Sequence, residues 1–456
     1  MKKTPVKYYS TNLRSPEVSF REALLEGLAP DGGLYLPDSF PSISQNELES
    51  FSGKEYHEIA SNVLNKLIGG EIEKGELSQL CADAYNFNIP LEKVYDRRYI
   101  MRLDQGPTAS FKDFAARMMS RLMQYYLSLN NRNLTILTAT SGDTGSAVAS
   151  AFYGLPNINA IILFPANEVT PMQRKQMTTL KKNISVIAID GKFDDCQRLV
   201  KTAFLDPALS AIPLTSANSI NIGRLLPQSV YYIYAYAKLS NSIDEKAIFS
   251  VPSGNFGNLM GGIIASKMGL PVKQFIVATN ENNEVPEYLK SGSYEPVKPS
   301  KNCISSAMNV GHPSNLSRIV AIYGGVMDEL GNIIKAPDID KMRKNLYAVS
   351  VTDEETRTTI DEAYRKYNLL LEPHGAIAWK GLKDYLAENK DSLPGKPLSI
   401  SLETAHPAKF PSELEQVLNI KPSLPPSLTN LEQLDEQYTS MDNNYDLLKE
   451  FLLRFN

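Results

Sequence analysis

Four segments of this chain carry residues whose types and spacing suit chemistry on a small anionic ligand. The first holds Lys112, in Gln105-Gly106-Pro107-Thr108-Ala109-Ser110-Phe111-Lys112-Asp113-Phe114-Ala115. Most lysines are solvated. Here Phe111 and Phe114 flank the residue, and apolar surroundings lower an amine's pKa by disfavouring its charged form. A neutral lysine can attack a carbonyl and form a Schiff base.

Three polar loops follow. Ala139-Thr140-Ser141-Gly142-Asp143-Thr144-Gly145 combines glycines, which let a ligand approach the backbone, with hydroxyl donors. The free N–H groups of a helix start favour an anion. The same loop also reads as a plain helix cap, with Asp143 or Ser141 as the capping residue. In Val251-Pro252-Ser253-Gly254-Asn255-Phe256-Gly257-Asn258, two glycines bracket residues whose amides can cradle a phosphate. No Gly-Lys-Ser/Thr follows, so it is not a Walker loop, and it lacks the spacing of a dinucleotide fingerprint. Glu403-Thr404-Ala405-His406-Pro407-Ala408-Lys409-Phe410 offers a hydroxyl, an imidazole and an ammonium. Taken alone, this loop is expected to end a strand at Thr404 and leave His406 and Lys409 in solvent. One reactive lysine, a phosphate cradle and a second anion loop together suggest an aldehyde cofactor bearing a phosphate, pyridoxal phosphate.

These loops need strands to carry them. Short β-rich runs at Leu134–Leu137, Ala160–Phe164, Ser185–Ile189, Ala247–Val251 and Phe275–Val277 alternate with helical stretches at Thr144–Tyr153, Asp194–Phe204 and Asn258–Met268. Such alternation predicts an α/β fold with a mainly parallel sheet. In such sheets ligands bind outside the carboxyl ends of the strands, where all three loops fall. A late apolar strand, Leu398–Leu402, is expected to insert into a sheet already begun. Residues before about Pro90 read as a small α/β module, with a turn at Asp31-Gly32-Gly33 and a helix over His57–Ile68. From Ser412 onward amphipathic helices and a link bearing Pro422, Pro425 and Pro426 are expected.

Composition excludes several other classes. The 456 residues are 43% hydrophobic and 21% charged, as in ordinary globular proteins, so disorder and fibres do not fit. A net charge of −4 lacks the basic surplus of a nucleic-acid binder. Cys81, Cys196 and Cys303 are too few and too far apart for a disulfide framework, and read as reduced, buried thiols of a cytosolic protein. His57, His312, His374 and His406 form no local zinc motif, and no metal is expected. No apolar core follows the basic start, and no run reaches the ~18 residues of a membrane span.

Seven motifs, in order along nearly the whole chain, resemble the threonine synthases of the pyridoxal-phosphate fold-type II group. They are the amino-terminal set Tyr8-Tyr9-Ser10-Thr11-Asn12, Ser19-Phe20-Arg21-Glu22-Ala23 and Gly27 to Tyr35; Gly106-Pro107-Thr108 with Phe111-Lys112-Asp113; Thr140 to Gly145; Asp190 to Cys196; Asn218 to Arg224; Ser253 to Gly257; and Thr404 to Phe410. The resemblance implies two open, mainly parallel α/β sheets. It implies an amino-terminal module over 1–95 and a catalytic core over 96–411, whose smaller subdomain spans roughly 130–225. A helical carboxyl-terminal extension over 412–456 completes the chain.

The resemblance also implies roles. Lys112 would hold the cofactor as a Schiff base and then act as general acid and base. Gly254, Asn255, Phe256 and Gly257 would bind its phosphate; Asn258 stands where many relatives have aspartate, which puts any charge-dependent role there in doubt. Thr404 would face the pyridine nitrogen, and a hydroxyl there leaves that nitrogen largely unprotonated. Ser141, Gly142, Asp143 and Thr144 would hold the substrate carboxylate. Lys192, Asn221 and Arg224 are candidates for the substrate phosphate. The implied reaction is that of a carbon–oxygen lyase: O-phospho-L-homoserine and water give L-threonine and phosphate, in a cytoplasmic monomer or homodimer. A phospho-lyase of the same group, releasing 2-oxobutyrate, shares every cofactor residue. A non-catalytic protein binding a phosphorylated amino acid is the other alternative, against which an intact Lys112 counts.

Overall fold

The computed structural model describes residues 5–393 and 395–455. An amino-terminal module opens with strands β1 (Tyr8–Ser10) and β2 (Tyr35–Pro37), which pair antiparallel. Gly32, at φ 82°, makes the expected turn before β2. Ser19 and Glu22 form a capping box on the helix Phe20–Glu26, each satisfying an N–H that the helix start leaves free. The helix Tyr56–Leu67 buries Ile59, Ala60, Val63, Leu64 and Leu67, the stripe that its 3.6-residue period predicts.

The core holds two mainly parallel sheets. The strands β3 (Leu91–Tyr95), β4 (Arg98–Arg102), β5 (Leu134–Ala139), β6 (Ile158–Pro165), β7 (Ile184–Asp190) and β8 (Leu214–Thr215) come first. They are followed by β9 (Ala247–Pro252), β10 (Val272–Thr279), the ribbon β11 (Val326–Met327) and β12 (Ile333–Lys335), β13 (Leu346–Ser350), β14 (Ser399–Glu403) and β15 (Thr439–Asp442). The larger sheet runs β13-β10-β9-β14-β4-β3, with only β3 antiparallel. The smaller runs β15-β7-β6-β5-β8, all parallel. Every residue of β5 and of β9 is buried, as strands covered on both faces must be. The late strand β14 lies between β9 and β4, inside a sheet begun far earlier in the chain.

The carboxyl-terminal region is helical as expected, but it also supplies a strand. The helix Pro411–Leu418 stays with the larger sheet, where Glu413 pairs with Arg357. The chain then crosses to the smaller sheet, adds β15 beside β7, and packs Leu448 and Leu452 of the helix Tyr445–Arg454 against Leu199 and Ile187. The segment Thr439–Asp442 has no alternation of apolar residues, so its sequence gives no strand signal. Cys81, Cys196 and Cys303 are free and buried.

The amino-terminal module fixes the helix that bears the lysine. Phe114 packs edge-on against Tyr56 of the module, and also against Phe87 and Tyr231. The Arg318 guanidinium, fully buried, donates to the Tyr35 carbonyl of the module and to the Ser219 and Ile220 carbonyls of the core.

Candidate active site

Lys112 is the first residue of the helix Lys112–Ser128. The turn before it is braced from within: the Thr108 amide and hydroxyl both donate to the Asp113 carboxylate, at 2.9 and 2.7 Å. Phe111 N donates to the Thr404 carbonyl, and His406 N to the Ala109 carbonyl. The lysine turn and the loop after β14 are thus clasped together. The Lys112 side chain is 14% exposed, and its Nζ lies 5.0 Å from the Phe111 ring centre.

Asp143 faces this lysine. Its Oδ2 lies 3.7 Å from Lys112 Nζ and its Oδ1 2.5 Å from Lys409 Nζ. Gln173 Nε2 donates to the same Oδ1 at 2.9 Å. Burial alone would raise the Asp143 carboxyl; Lys409 and Lys112 outweigh it and hold the group well below the usual carboxylate range. Burial lowers the Lys112 amine, with Lys409 and Arg224 adding to the effect while Asp143 and Glu372 oppose it. A lysine made less basic in this way moves toward the neutral nucleophile that a Schiff base needs.

Two expectations from the sequence change here. Lys409 is not solvated: its side chain is 0% exposed, paired with Asp143 and donating to the Thr108 carbonyl at 3.0 Å. Asp143 and Ser141 do not cap the helix Asp143–Phe152. Gly142 holds the cap position, and the Thr140 hydroxyl accepts from Gly142 N and Gly145 N at 2.9 and 2.7 Å. Gly142 takes φ 131°, and a Cβ there would meet Gln173 at 2.5 Å, so only glycine fits. The Asp143 side chain is spent on two cations. An anion at this helix start would be met by the Asp143 and Thr144 amides, which have no intrahelical acceptor.

The loop after β9 has the form a phosphate needs. Phe256, at φ 60°, precedes the helix Gly257–Lys267, whose first amides have no intrahelical acceptor and so suit an anion. A Cβ on Gly254 would stand 2.9 Å from Ala307 O and from Met308 Cα. Asn315 Nδ2 donates to Asn255 O at 2.9 Å, and Arg318 holds the Asn315 side chain in turn. Arg318 has carbonyl and amide oxygens for partners, and burial lowers its guanidinium to about 9. Asn258 points elsewhere: its Oδ1 accepts from the Tyr231 and Tyr232 hydroxyls at 2.6 and 2.7 Å. Its Nδ2 is buried and has no partner among the described residues.

Thr404 is 6% exposed at the end of β14, and its hydroxyl donates to Glu372 Oε1 at 3.5 Å. Glu372 caps the helix Pro373–Glu388 and accepts from His374 N and Gly375 N at 2.7 and 3.0 Å. The His374 ring meets Glu372 Oε2 through Nδ1 at 2.5 Å, while Ala307 N donates to its Nε2 at 3.1 Å. Nε2 is therefore an acceptor, and the ring proton sits on Nδ1. Neither Glu372 nor His374 belongs to any of the seven motifs. The signal that could have found them is Glu-Pro before a helical stretch, an N-cap followed by proline.

The candidates for the substrate phosphate separate. Arg224 is buried, with Nη1 donating to Ala217 O at 2.5 Å and Nε without a partner among the described residues. Burial lowers it to about 10, against the attraction of Asp113. Asn221 is fully used: its Nδ2 donates to Leu24 O and Ser216 O, and its Oδ1 accepts from Gly223 N. It positions Arg224 and has no group left for a ligand. Lys192 stays exposed at the start of the helix Phe193–Leu205, on the carboxyl edge of the smaller sheet.

A lysine of lowered basicity, a glycine cradle at a helix start, unpartnered buried donors and a buried hydroxyl are what pyridoxal phosphate requires, and these residues fit it. Comparison with known proteins agrees. The family model "Threonine synthase N terminus" matches residues 7–85, "Pyridoxal-phosphate dependent enzyme" residues 89–398, and "Threonine synthase, C-terminal" residues 375–452. The threonine synthase of Haemophilus influenzae is 41% identical over 97% of this chain and 99% of its own. The structure of pyridoxal-phosphate-bound threonine synthase from Brucella melitensis superposes with a TM-score of 0.90 at 36% identity, covering 98% of this chain and 99% of that one. That of Escherichia coli threonine synthase gives 0.88 at 37%, covering 99% and 100%. With matches of this extent laid over a lysine, a glycine-bearing loop and a buried hydroxyl at the strand ends, the chain belongs to the pyridoxal-phosphate-dependent threonine synthase family.

Proposed function

We propose that this chain converts O-phospho-L-homoserine and water to L-threonine and phosphate at the carboxyl edges of its two sheets, as the last step of threonine biosynthesis. The supporting observation is Lys112, half-buried beside Asp143 on a turn clasped to the Thr404 loop, in a chain that aligns end to end with threonine synthases. Pyridoxal phosphate, when bound, supplies the electron sink for carbanions at Cα and Cβ of the substrate.

Lys112 would attach the cofactor, and its amine would be the group that moves protons at Cα and Cβ of the substrate. Burial lowers the basicity of that amine, the direction that favours its neutral, proton-accepting form. The amides of Gly254 to Gly257 hold the cofactor phosphate, with Asn315 fixing the loop from behind. Asn258 supports that loop through Tyr231 and Tyr232 rather than through charge. Thr404 would meet the pyridine nitrogen, turning toward it the one hydroxyl proton that Glu372 accepts in this structure. The main chain of Ser141 to Thr144 holds the substrate carboxylate. Arg224 stabilises the leaving phosphate, because a buried guanidinium with an unused donor is suited to a dianion. Lys192, exposed on the same edge, attracts the substrate over a longer range. The chain works in the cytoplasm. No helix among the described residues is long and apolar enough to cross a membrane.

The test is incubation with O-phospho-L-homoserine and identification of products. L-Threonine and phosphate in equal amounts are expected. 2-Oxobutyrate with ammonia would instead make the chain a phospho-lyase, and no turnover with cofactor bound would make it a binding protein.

A further inference from the structure

Lys409 is a second lysine beside the first, fully buried where Lys112 is not, and no step above uses it. It and Lys112 sit on opposite oxygens of one carboxylate, Asp143, at 2.5 and 3.7 Å. The Lys409 and Asp143 side chains are 0% and 3% exposed, so solvent does little to screen them. The three residues come from three elements: the helix Asp143–Phe152, the segment after β14, and the start of the Lys112 helix. Gln173 Nε2 and the Thr108 carbonyl fix the pair from outside. The closer ammonium claims most of the carboxylate's field, which leaves Lys112 only partly compensated.

We infer that Asp143 and Lys409 are positioning residues for Lys112, with Asp143 drawing a proton onto the Lys112 amine and Lys409 withholding it. The pair sets the fraction of Lys112 that is neutral and able to attack the cofactor aldehyde. The other charged groups facing Lys112 are Arg224, which works with Lys409, and Glu372, which works with Asp143; Asp113, next in the chain, is bound to Thr108. Burial is the first cause of the lowered basicity of Lys112; Asp143 opposes it, and Lys409 in turn works against Asp143, as this geometry requires. The inference rests on Lys112 being the cofactor lysine.

The test uses the full chain stripped of cofactor, with pyridoxal 5′-phosphate as the probe. The rate of borohydride-trappable attachment is followed against pH, and the modified peptide is identified for every variant. Attachment needs a neutral amine, so its rate rises with pH through the Lys112 pKa. Asp143→Asn removes the anion and leaves two cations, so the midpoint should fall by about 1 pH unit or more. Lys409→Met frees Asp143 for Lys112, so the midpoint should rise by a similar amount; Lys409→Gln serves if the first does not fold. Lys409→Arg, which keeps the charge, should return it toward wild type. A role in packing alone would not give opposite signs. Midpoints that stay fixed, or move together, with the label still on Lys112 would overturn the inference. A label on another lysine would instead remove the assignment of Lys112 on which it rests.

Discussion

The Thr404 hydroxyl and the Glu372 carboxylate lie 3.5 Å apart, and through Glu372 the end of β14 is joined to the neighbourhood of Gly254. Glu372 binds the His374 ring, His374 accepts from Ala307 N, and the Ala307 carbonyl bounds the space beside Gly254. The residue assigned to the pyridine nitrogen and the loop assigned to the phosphate therefore share one buried polar chain.

Thr404 and Glu372 should accordingly respond differently to truncation. Thr404→Ala loses one neutral donor, worth about 0.5–1.5 kcal/mol, so the protein should stay folded and coloured while turnover slows. Glu372→Ala removes a helix cap and leaves the His374 N–H groups unpaired in the interior, which should cost about 2 kcal/mol or more. Urea denaturation separates the two. Equal stability losses would mean that the polar chain does not hold the cradle together.

Gly254 and Gly257 should not be equivalent. An alanine Cβ at Gly254 would stand 2.9 Å from the main chain at Ala307 and Met308, which cannot swing aside. At Gly257 the nearest atom is Ser219 Cβ at 3.5 Å, an ordinary contact. Gly254→Ala should destabilise the loop by about 1–3 kcal/mol and weaken cofactor binding. Gly257→Ala should be milder in thermal denaturation, and the reverse order would contradict the close approach of Ala307 and Met308 to Gly254.

Arg224 should matter to the substrate more than to the cofactor. Arg224→Ala should cost about 1.5–3 kcal/mol in kcat/KM for phosphohomoserine, roughly ten- to 150-fold, with pyridoxal-phosphate affinity little changed. Arg224→Lys should recover only part, since a lysine lacks the planar fork of donors. Lys192→Ala should give a smaller loss that fades as salt is added, because exposed charges are screened. Lost cofactor affinity with normal substrate kinetics would move Arg224 to the cofactor phosphate.

Glu284 should give stability a pH dependence. It is buried at the start of the helix Glu284–Ser291 with Oε2 unpartnered among the described residues, and burial raises its carboxyl from 4.5 to about 8. The folded state then holds a proton that the unfolded state has lost. Its contribution is complete below about pH 4.5 and disappears as pH rises toward 8. Glu284→Gln should flatten that decline in unfolding free energy between about pH 5 and 8. An unchanged slope would mean that the carboxyl is charged throughout.

Much of this was legible in the chain. The strands β5, β6, β7, β9 and β10 announce themselves as apolar runs, and the loops after β5 and β9 carry Gly142 and Gly254, where a Cβ would collide with a neighbour. Lys112 is legible from its aromatic neighbours. Lys409 is not, since a lysine in a polar loop looks solvated until the fold brings Asp143 to it from a distant segment. Glu372 and His374 are hidden for the same reason: a helix cap is a local signal, while the hydroxyl and amide they serve come from elsewhere. Asn221 looks like a ligand residue by motif, yet the fold spends each of its polar atoms on the main chain.

Two lysines flank Asp143, and only one can carry the cofactor. The protein should be yellow as purified, and borohydride should bleach it and fix the pyridoxyl group covalently. Peptide mapping of the reduced protein should then place that group on the peptide containing Lys112, and Lys112→Ala should fold yet take up no label. A label on Lys409, or on any lysine other than Lys112, would contradict the assignment from which every other role in the site follows.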